Sequence, residues 1–165
     1  GCKVVFVGPC TAKKVERQQE HVKDLVDNVI TFEELRALID SQEIDLEEMP
    51  LEQLNDASYY GRIFARSGGL ADAVKQALKE LKITDEQFKL NAISCSGINE
   101  CKAALLKAKV GRLQENFIEG MACVDGCIGG PCALTHGPKD RAAVDKFGKE
   151  SRYETIGDAI GKMDI

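Results

Sequence analysis

The chain has 165 residues, about the length of one domain and enough to bury a core. Its composition, 44% hydrophobic and 30% charged, is ordinary for a globular protein, and no apolar run approaches the roughly 20 residues of a membrane helix. The net charge of −5 and the absence of Trp argue against a nucleic-acid-binding surface, which needs basic charge or stacking aromatics.

Strand and helix signals alternate along the chain. β-branched and aromatic runs bounded by turn residues predict four strands, at 3–7, 29–30, 88–94 and 116–118. Residue patterning predicts helices at 12–26, from 32 to 39, at 70–81, from 98 to 108 and at 139–150. This alternation indicates a single α/β lobe over 1–165, with a four-stranded, mostly parallel sheet flanked by helices. The run at 3–7 is of the kind that parallel sheets cover on both faces.

Local signals fix some of the boundaries. Thr31, with Glu34 three residues later, predicts a capping box at the start of a helix. Residues 42–57 are acidic and lack periodicity, which predicts a surface loop. Gly111 is suited to ending the helix before it.

Cysteine usage is the unusual feature of the composition. An odd number of cysteines without a secretory signal argues against a disulfide framework and favours metal binding or redox chemistry. The seven residues are Cys2, Cys10, Cys95, Cys101, Cys123, Cys127 and Cys132. Cys95 and Cys101 lie at apolar positions and are expected to be small buried side chains.

The strongest chemical signal is the glycine-rich stretch at 119–132. Cys123 and Cys127, four residues apart, can converge on one centre, because glycines let the backbone fold back and present N–H groups to sulfide. Zinc sites more often use a two-residue spacing, and the chain has only two histidines. The spacing favours an iron–sulfur site, while zinc and buried or redox thiols stay open as alternatives.

A second signal lies at 8–16. Cys10 follows the first predicted strand and precedes a helix, where backbone N–H groups and the helix dipole favour a thiolate. Lys13 adds a positive charge that suits an anionic cofactor. The alternative is a buried cysteine beside a solvated helix face. In a parallel sheet, this loop, the turn at 64–70 and the loop at 119–132 are expected to meet at one rim.

Together these segments resemble a known family. The stretches GPCTAKKVE at 8–16 and EGMACVDGCIGG at 119–130 are similar to the second and third cluster-binding signatures of iron-only hydrogenases. VITFEEL at 29–35 and FARSGGLADAV at 64–74 resemble two further stretches of that catalytic domain, in the same order.

The resemblance implies an H-cluster, in which a 4Fe-4S cubane is bridged by a cysteine to a di-iron subcluster carrying CO and cyanide. The implied cubane ligands are Cys10, Cys123 and Cys127, with Cys127 as the bridging residue. Lys13 is implied to bind a cyanide ligand. The implied lining of the di-iron pocket consists of Pro9, Phe64 and Met121.

The sequence also departs from that family. The first signature, Thr-Ser-Cys-Cys-Pro, which supplies one cubane ligand and a proton-relaying cysteine, does not occur. Gly8 stands where hydrogen-producing members usually have Met, and Pro131-Cys132 interrupts a glycine run. These departures resemble divergent, sensory branches, and they make Cys132 a candidate surrogate ligand.

The resemblance leads to a prediction for the whole protein. We expect this chain to be the C-terminal lobe of an anaerobic, cytoplasmic oxidoreductase that interconverts protons and hydrogen, with a ferredoxin-like electron partner. As a fragment it should be inactive and expose the face that an N-terminal lobe covers, so that two copies could form a non-native dimer. The alternatives are an iron–sulfur electron-transfer or sensory module without a di-iron unit, and a zinc or thiol-redox protein.

Overall fold

The computed structural model describes residues 1–52 and 57–161. Its strands are β1 (Val5–Gly8), β2 (Asn28–Thr31), β3 (Ala92–Ser96) and β4 (Phe117–Met121). Its helices are α1 (Ala12–Glu16), α2 (Phe32–Ser41), α3 (Tyr59–Arg62), α4 (Gly69–Glu80), α5 (Ile98–Lys109), α6 (Pro138–Lys149) and α7 (Ile156–Ile160), with a 3-10 turn at Cys127–Gly129. The first compact unit is Gly1–Gln53 with Gly129–His136, and the second is Leu54–Ile128 with Gly137–Ile165.

The α/β class and the parallel pairing of strands are as predicted, but the four-stranded sheet is wrong. The described strands form two separate two-stranded parallel sheets, β1 with β2 and β3 with β4. A helical crossover connects the two strands of each pair, and the two strands hydrogen-bond to each other. Alternation along the sequence reveals these crossovers but not whether the outer strands of different crossovers pair.

The first unit is built on β1 and β2, paired in register from Val5–Asn28 to Gly8–Thr31. The predicted capping box is confirmed, because Glu34 N–H donates to Thr31 Oγ1 and Thr31 N–H donates to the Glu34 carboxylate. The predicted burial of the first strand on both faces is wrong, since Val5 remains 47% exposed.

The predicted helix over 12–26 is too long. The helix ends at Glu16, and the following residues form turns, in which the Arg17 Nε–H donates to the Val26 carbonyl at 3.2 Å. Residues 18–21 are all polar, so this stretch offers no apolar face that packing could hold in a helix.

The second unit contains β3, β4 and the remaining helices. The helix predicted at 70–81 is found at Gly69–Glu80, and the one predicted at 139–150 at Pro138–Lys149. The strand predicted at 88–94 begins only at Ala92, because the preceding residues form a turn and an irregular segment. The short helices α3 and α7, which lack a long apolar period, were not predicted.

The core of this second unit includes Cys95, whose burial was expected, and Glu119, whose burial was not. Cys95 is fully buried as expected, whereas Cys101 is only half-buried and directs its thiol at the Met121 carbonyl, at 3.5 Å. The Glu119 carboxylate is equally buried. Across the described residues, no helix combines the length and the apolar character needed to span a bilayer.

Candidate functional site

The loop that carries Cys123 and Cys127 follows directly on β4. Its backbone folds back at Asp125 and Gly126, whose φ angles of 66° and 87° lie in the left-handed region. Gly126 N–H donates to the Cys123 carbonyl at 3.1 Å, and Asp125 N–H donates to Ser96 Oγ at 2.8 Å. The loop thus reverses between the two cysteines and is tied to the end of β3.

A second segment, the turn at 64–69, braces this loop. Ser67 N–H donates to the Asp125 carbonyl at 3.0 Å, and Ile128 N–H donates to the Ala65 carbonyl at 3.1 Å. A Cβ atom at Gly126 would lie 2.6 Å from the Ser67 nitrogen, closer than any side chain allows. Glycine at this position therefore permits the backbone-to-backbone contact that fixes the course of the loop.

The turn is itself anchored by a buried cation. Arg66 is 5% exposed, its Nε–H donates to Asp145 at 2.6 Å, and its Nη2 donates to Asp72 at 2.9 Å. Burial by itself would lower the pKa of this guanidinium, but the hydrogen bonds to the two carboxylates outweigh burial and raise the pKa. Arg66 therefore stays charged and joins the turn to α4 and α6.

A buried anion completes the support. Glu119 is 1% exposed and accepts hydrogen bonds from the N–H groups of Gly68 and Ala71, at 2.9 and 3.1 Å, and from Ser94 Oγ at 3.0 Å. Because the first N–H groups of a helix lack partners within the helix, this carboxylate caps α4 from the neighbouring strand. It thereby connects β4, the strand that leads into the cysteine loop, with the turn that braces the loop.

Cys10 lies in the first unit, in the short loop between β1 and α1. Pro9 and Cys10 are half-buried, and Gly8 is buried. The Pro9 carbonyl accepts a hydrogen bond from Cys132 N–H at 3.2 Å, which ties the segment 129–136 to this loop. Lys13, one helical turn along, forms an ion pair with Glu16 at 2.5 Å.

Cys132 has an environment that disfavours a thiolate. It is 8% exposed, and burial together with the nearby Glu33 carboxylate raises the pKa of its thiol. A bound metal ion would itself favour the thiolate, so the assignment of Cys132 as a surrogate ligand stays a prediction.

The structure brings together two of the three segments expected to form a site. The turn with Phe64 and the loop with Cys123 and Cys127 are in direct contact in the second unit, where Met121 ends β4. The remaining predicted residues, Pro9, Cys10, Lys13 and Cys132, lie in the first unit. Among residues 1–52 and 57–161, no three potential metal-ligating side chains are gathered into one group.

Two residues that organise the site were not singled out from the sequence. The available signals were a charged residue directly after the strand predicted at 116–118, Glu119, and one between small residues in a turn, Arg66. Each is a charged residue among apolar or small neighbours. A charge in such surroundings is expected to be buried and paired with hydrogen-bond partners.

Fold and site together define an α/β protein with a braced, glycine-rich loop that carries two cysteines. Comparison with known proteins supports this class. Residues 1–131 match the family described as the iron only hydrogenase large subunit, C-terminal domain, and the chain belongs to this family.

One curated protein is similar in sequence to the chain, and two solved structures share its fold. The chain is 26% identical over 173 residues to iron hydrogenase 1 of Clostridium pasteurianum, covering 86% of this chain and 30% of that protein. A structure of HydA(deltaEFG), described in connection with stepwise FeFe-hydrogenase H-cluster assembly, has a TM-score of 0.61 at 20% identity, covering 93% of this chain and 54% of the other. A variant of FeFe-hydrogenase HydA1 from Chlamydomonas reinhardtii gives 0.59 at 18% identity, with coverage of 93% and 54%. The chain thus spans about half, or less, of the length of these relatives.

Proposed function

We propose that this chain supplies part of the H-cluster site of an iron-only hydrogenase-like oxidoreductase that interconverts protons and hydrogen. The observation that carries the proposal is the braced cysteine loop, in which Cys123 and Cys127 flank a reversal held by the turn at 64–69. Iron–sulfur clusters are held by cysteine thiolates, and interactions around such ligands orient them.

The residues present fit such a cluster by their donor chemistry. None of the three cysteines Cys10, Cys123 and Cys127 is in a disulfide. Cys10 and Cys123 are half-buried, so that their thiols are partly shielded from solvent and still accessible to iron. We assign these three as ligands of a 4Fe-4S cluster, with Cys127 also bridging to a di-iron subcluster. When bound, the group supplies the redox chemistry, and the chain supplies ligands, charge and exclusion of water.

Further side chains would contribute around the ligands. Lys13 carries its positive charge one helical turn from Cys10, where it suits the anionic cyanide groups, and Glu16 restrains its ammonium group. Pro9, Phe64 and Met121 would form the apolar lining that excludes water from the di-iron unit. In the whole protein, an N-terminal lobe and a ferredoxin-like electron partner would complete an anaerobic, cytoplasmic enzyme.

One observation favours a second candidate, an iron–sulfur electron-transfer or sensory module without a di-iron unit. A Cβ atom at Gly8 would lie 2.8 Å from Cε1 of Phe6, so the Phe6 ring occupies the space that a side chain at this position would need. The methionine that hydrogen-producing relatives carry here could not be accommodated without moving that ring.

The proposal is tested by anaerobic reconstitution with iron and sulfide. The chain should take up a 4Fe-4S cluster, or about four iron and four sulfide per chain. Single substitutions Cys10→Ser, Cys123→Ser and Cys127→Ser should each reduce uptake, while Cys2→Ser, at an exposed cysteine without an assigned role, should leave it unchanged. Uptake that is equal in all four variants would overturn the ligand assignment.

Infrared spectroscopy separates the two candidate functions. The full-length protein, reconstituted with a di-iron mimic, should show CO and cyanide bands if it holds an H-cluster, and their absence would favour the electron-transfer or sensory module. The chain by itself should evolve no hydrogen from a reduced dye, and hydrogen evolution would refute the view that it needs another lobe.

A further inference from the structure

A cavity lies in the second unit, lined by α4, the segment that follows it, β3 and α6. Its volume is about 580 Å³. Ligand sites in proteins typically enclose about 300–1,000 Å³, so the cavity is large enough for a small metabolite. None of the assigned cluster ligands lines it.

The charge of this cavity is opposite to that of the chain. Five basic and two acidic side chains line it, although the whole chain carries a net charge of −5. Arg66 is neutralised by its two carboxylates, one of which, Asp72, also lines the cavity. The remaining cationic residues are Lys75, Lys79, Lys89 and Arg141.

These four cations are available to a ligand. Within the described parts of the chain, none of the four forms an ion pair with a carboxylate. Arg141 uses one donor, Nη1, on the Ser67 carbonyl at 3.0 Å, which leaves the rest of its guanidinium to recognise an anion. Lys75 and Lys79 are one turn apart on α4 and therefore lie on the same side of the helix.

The cavity also has an apolar part. Leu78, Ile83 and Phe88 contribute to its wall, and Phe88 leaves 44% of its surface exposed. An exposed aromatic ring beside several unpaired cations suits a molecule that has both a flat apolar group and an anionic group.

We propose that this cavity binds a small phosphate-bearing molecule with an aromatic portion, of which a nucleotide is the typical example. The phosphate is recognised by the cations contributed by α4, Lys89 and Arg141, and the aromatic portion contacts Phe88 and the adjoining aliphatic side chains. The site contains none of the proposed cluster ligands, although Arg66 and Gly68, which hold the turn that braces the cysteine loop, also line the cavity.

The test is calorimetric titration of the whole chain with ADP and with phenyl phosphate, the smallest molecule that has both parts. Both should bind saturably, whereas inorganic phosphate and adenosine should bind at least about tenfold more weakly, because each lacks one part. Equal affinity for inorganic phosphate would show a site for free oxoanions and overturn the aromatic half of the proposal.

A matched pair of variants separates the cavity from general charge. Lys75→Glu combined with Lys79→Glu should weaken ADP binding about tenfold or more, since it replaces attraction with repulsion at the phosphate. Lys102→Glu combined with Lys107→Glu, on α5 outside the cavity, makes the same change in net charge and should leave binding unaltered.

A second substitution guards against loss of folding. Lys89→Glu lies outside the helices and should weaken ADP binding while far-UV circular dichroism stays unchanged. If neither ADP nor phenyl phosphate binds saturably, or if the two double variants weaken binding equally, the proposal is wrong.

Discussion

Two buried charges of opposite sign organise the surroundings of the cysteine loop. Arg66 is satisfied by two carboxylates, and Glu119 by two backbone N–H groups and a hydroxyl. Removing either charge leaves the groups that it binds without their hydrogen-bond partner in the interior, which destabilises the fold. The consequence is a site whose geometry depends on side chains that are not candidate ligands.

The substitution Glu119→Gln tests this dependence. The amide keeps one accepting oxygen but turns an NH₂ group toward donors, so the variant should lose about 1–3 kcal/mol of unfolding free energy. Urea denaturation of the chain measures the loss. Glu86→Gln, at an exposed position in the same unit, is the control and should change stability by less than about 0.5 kcal/mol. Similar values for both variants would mean that the buried carboxylate contributes little.

At the scale of the elements, the contact between the turn at 64–69 and the cysteine loop leaves no space for a side chain at Gly126. Two backbone hydrogen bonds cross it, and Gly126 stands at its centre with positive φ. No single element provides this geometry, since the hydrogen bonds join segments about sixty residues apart.

The substitution Gly126→Ala should be far more damaging than Gly111→Ala. Both positions have positive φ, at 87° and 68°, so both alanines bear the left-handed backbone cost of about 1 kcal/mol. Only at Gly126 would the added Cβ also overlap with backbone atoms, whereas no atom lies within 4 Å of a Cβ placed at Gly111. Hydrogen exchange at the Ser67 and Ile128 amides should accelerate in Gly126→Ala alone. Equal exchange in the two variants would contradict the bracing role.

Glu80, the last residue of α4, binds the N-terminus of α7. The Glu80 carboxylate accepts from the N–H groups of Ile156 and Gly157, at 2.9 and 3.0 Å, and from Gln76. The hydrogen bond from Ile156 is the largest cause that lowers the pKa of Glu80 from its ordinary value of 4.5.

This contact predicts a pH dependence of stability. Because the folded-state pKa is below the unfolded one, the stabilisation is present above the ordinary value of 4.5 and is lost as pH falls through the lower, folded-state value. Glu80→Gln should therefore have a lower Tm than the parent chain at neutral pH, and the difference should shrink in acid. Thermal unfolding across this range measures it, and a difference that does not vary with pH would exclude the linkage.

At the scale of the whole molecule, the first unit leaves an apolar strand uncovered. Val5 and Phe6 are 47% and 40% exposed. Within the described residues, β1 is hydrogen-bonded only to β2, so its second edge is a template for pairing with another chain.

We therefore expect the chain to self-associate as its concentration rises, detected by light scattering as an increase over the monomer mass of 18.0 kDa. Val5→Lys should suppress this, since a charge on the strand edge disfavours pairing. Val15→Lys, at an exposed valine of α1 in the same unit, should not. A monomer at high concentration would contradict the expectation.

The sequence by itself determined the α/β class, the capping box at Thr31, the helix at Gly69–Glu80 and, through its cysteine motifs, the family. These features depend on residues close together in the chain, whose spacing alone sets periodicity, caps and motifs. The predicted length of α1 is wrong, because a polar stretch forms a helix only where packing supports it.

Only the tertiary structure decided that the strands form two sheets, that the turn at 64–69 braces the cysteine loop, and that Glu119 caps α4. Each depends on contacts between residues far apart in sequence, and local propensity carries no information about which distant backbone group a strand or a buried charge will meet. A carboxylate is stable in the interior only where such distant donors converge on it, so its role becomes visible only once the chain has folded.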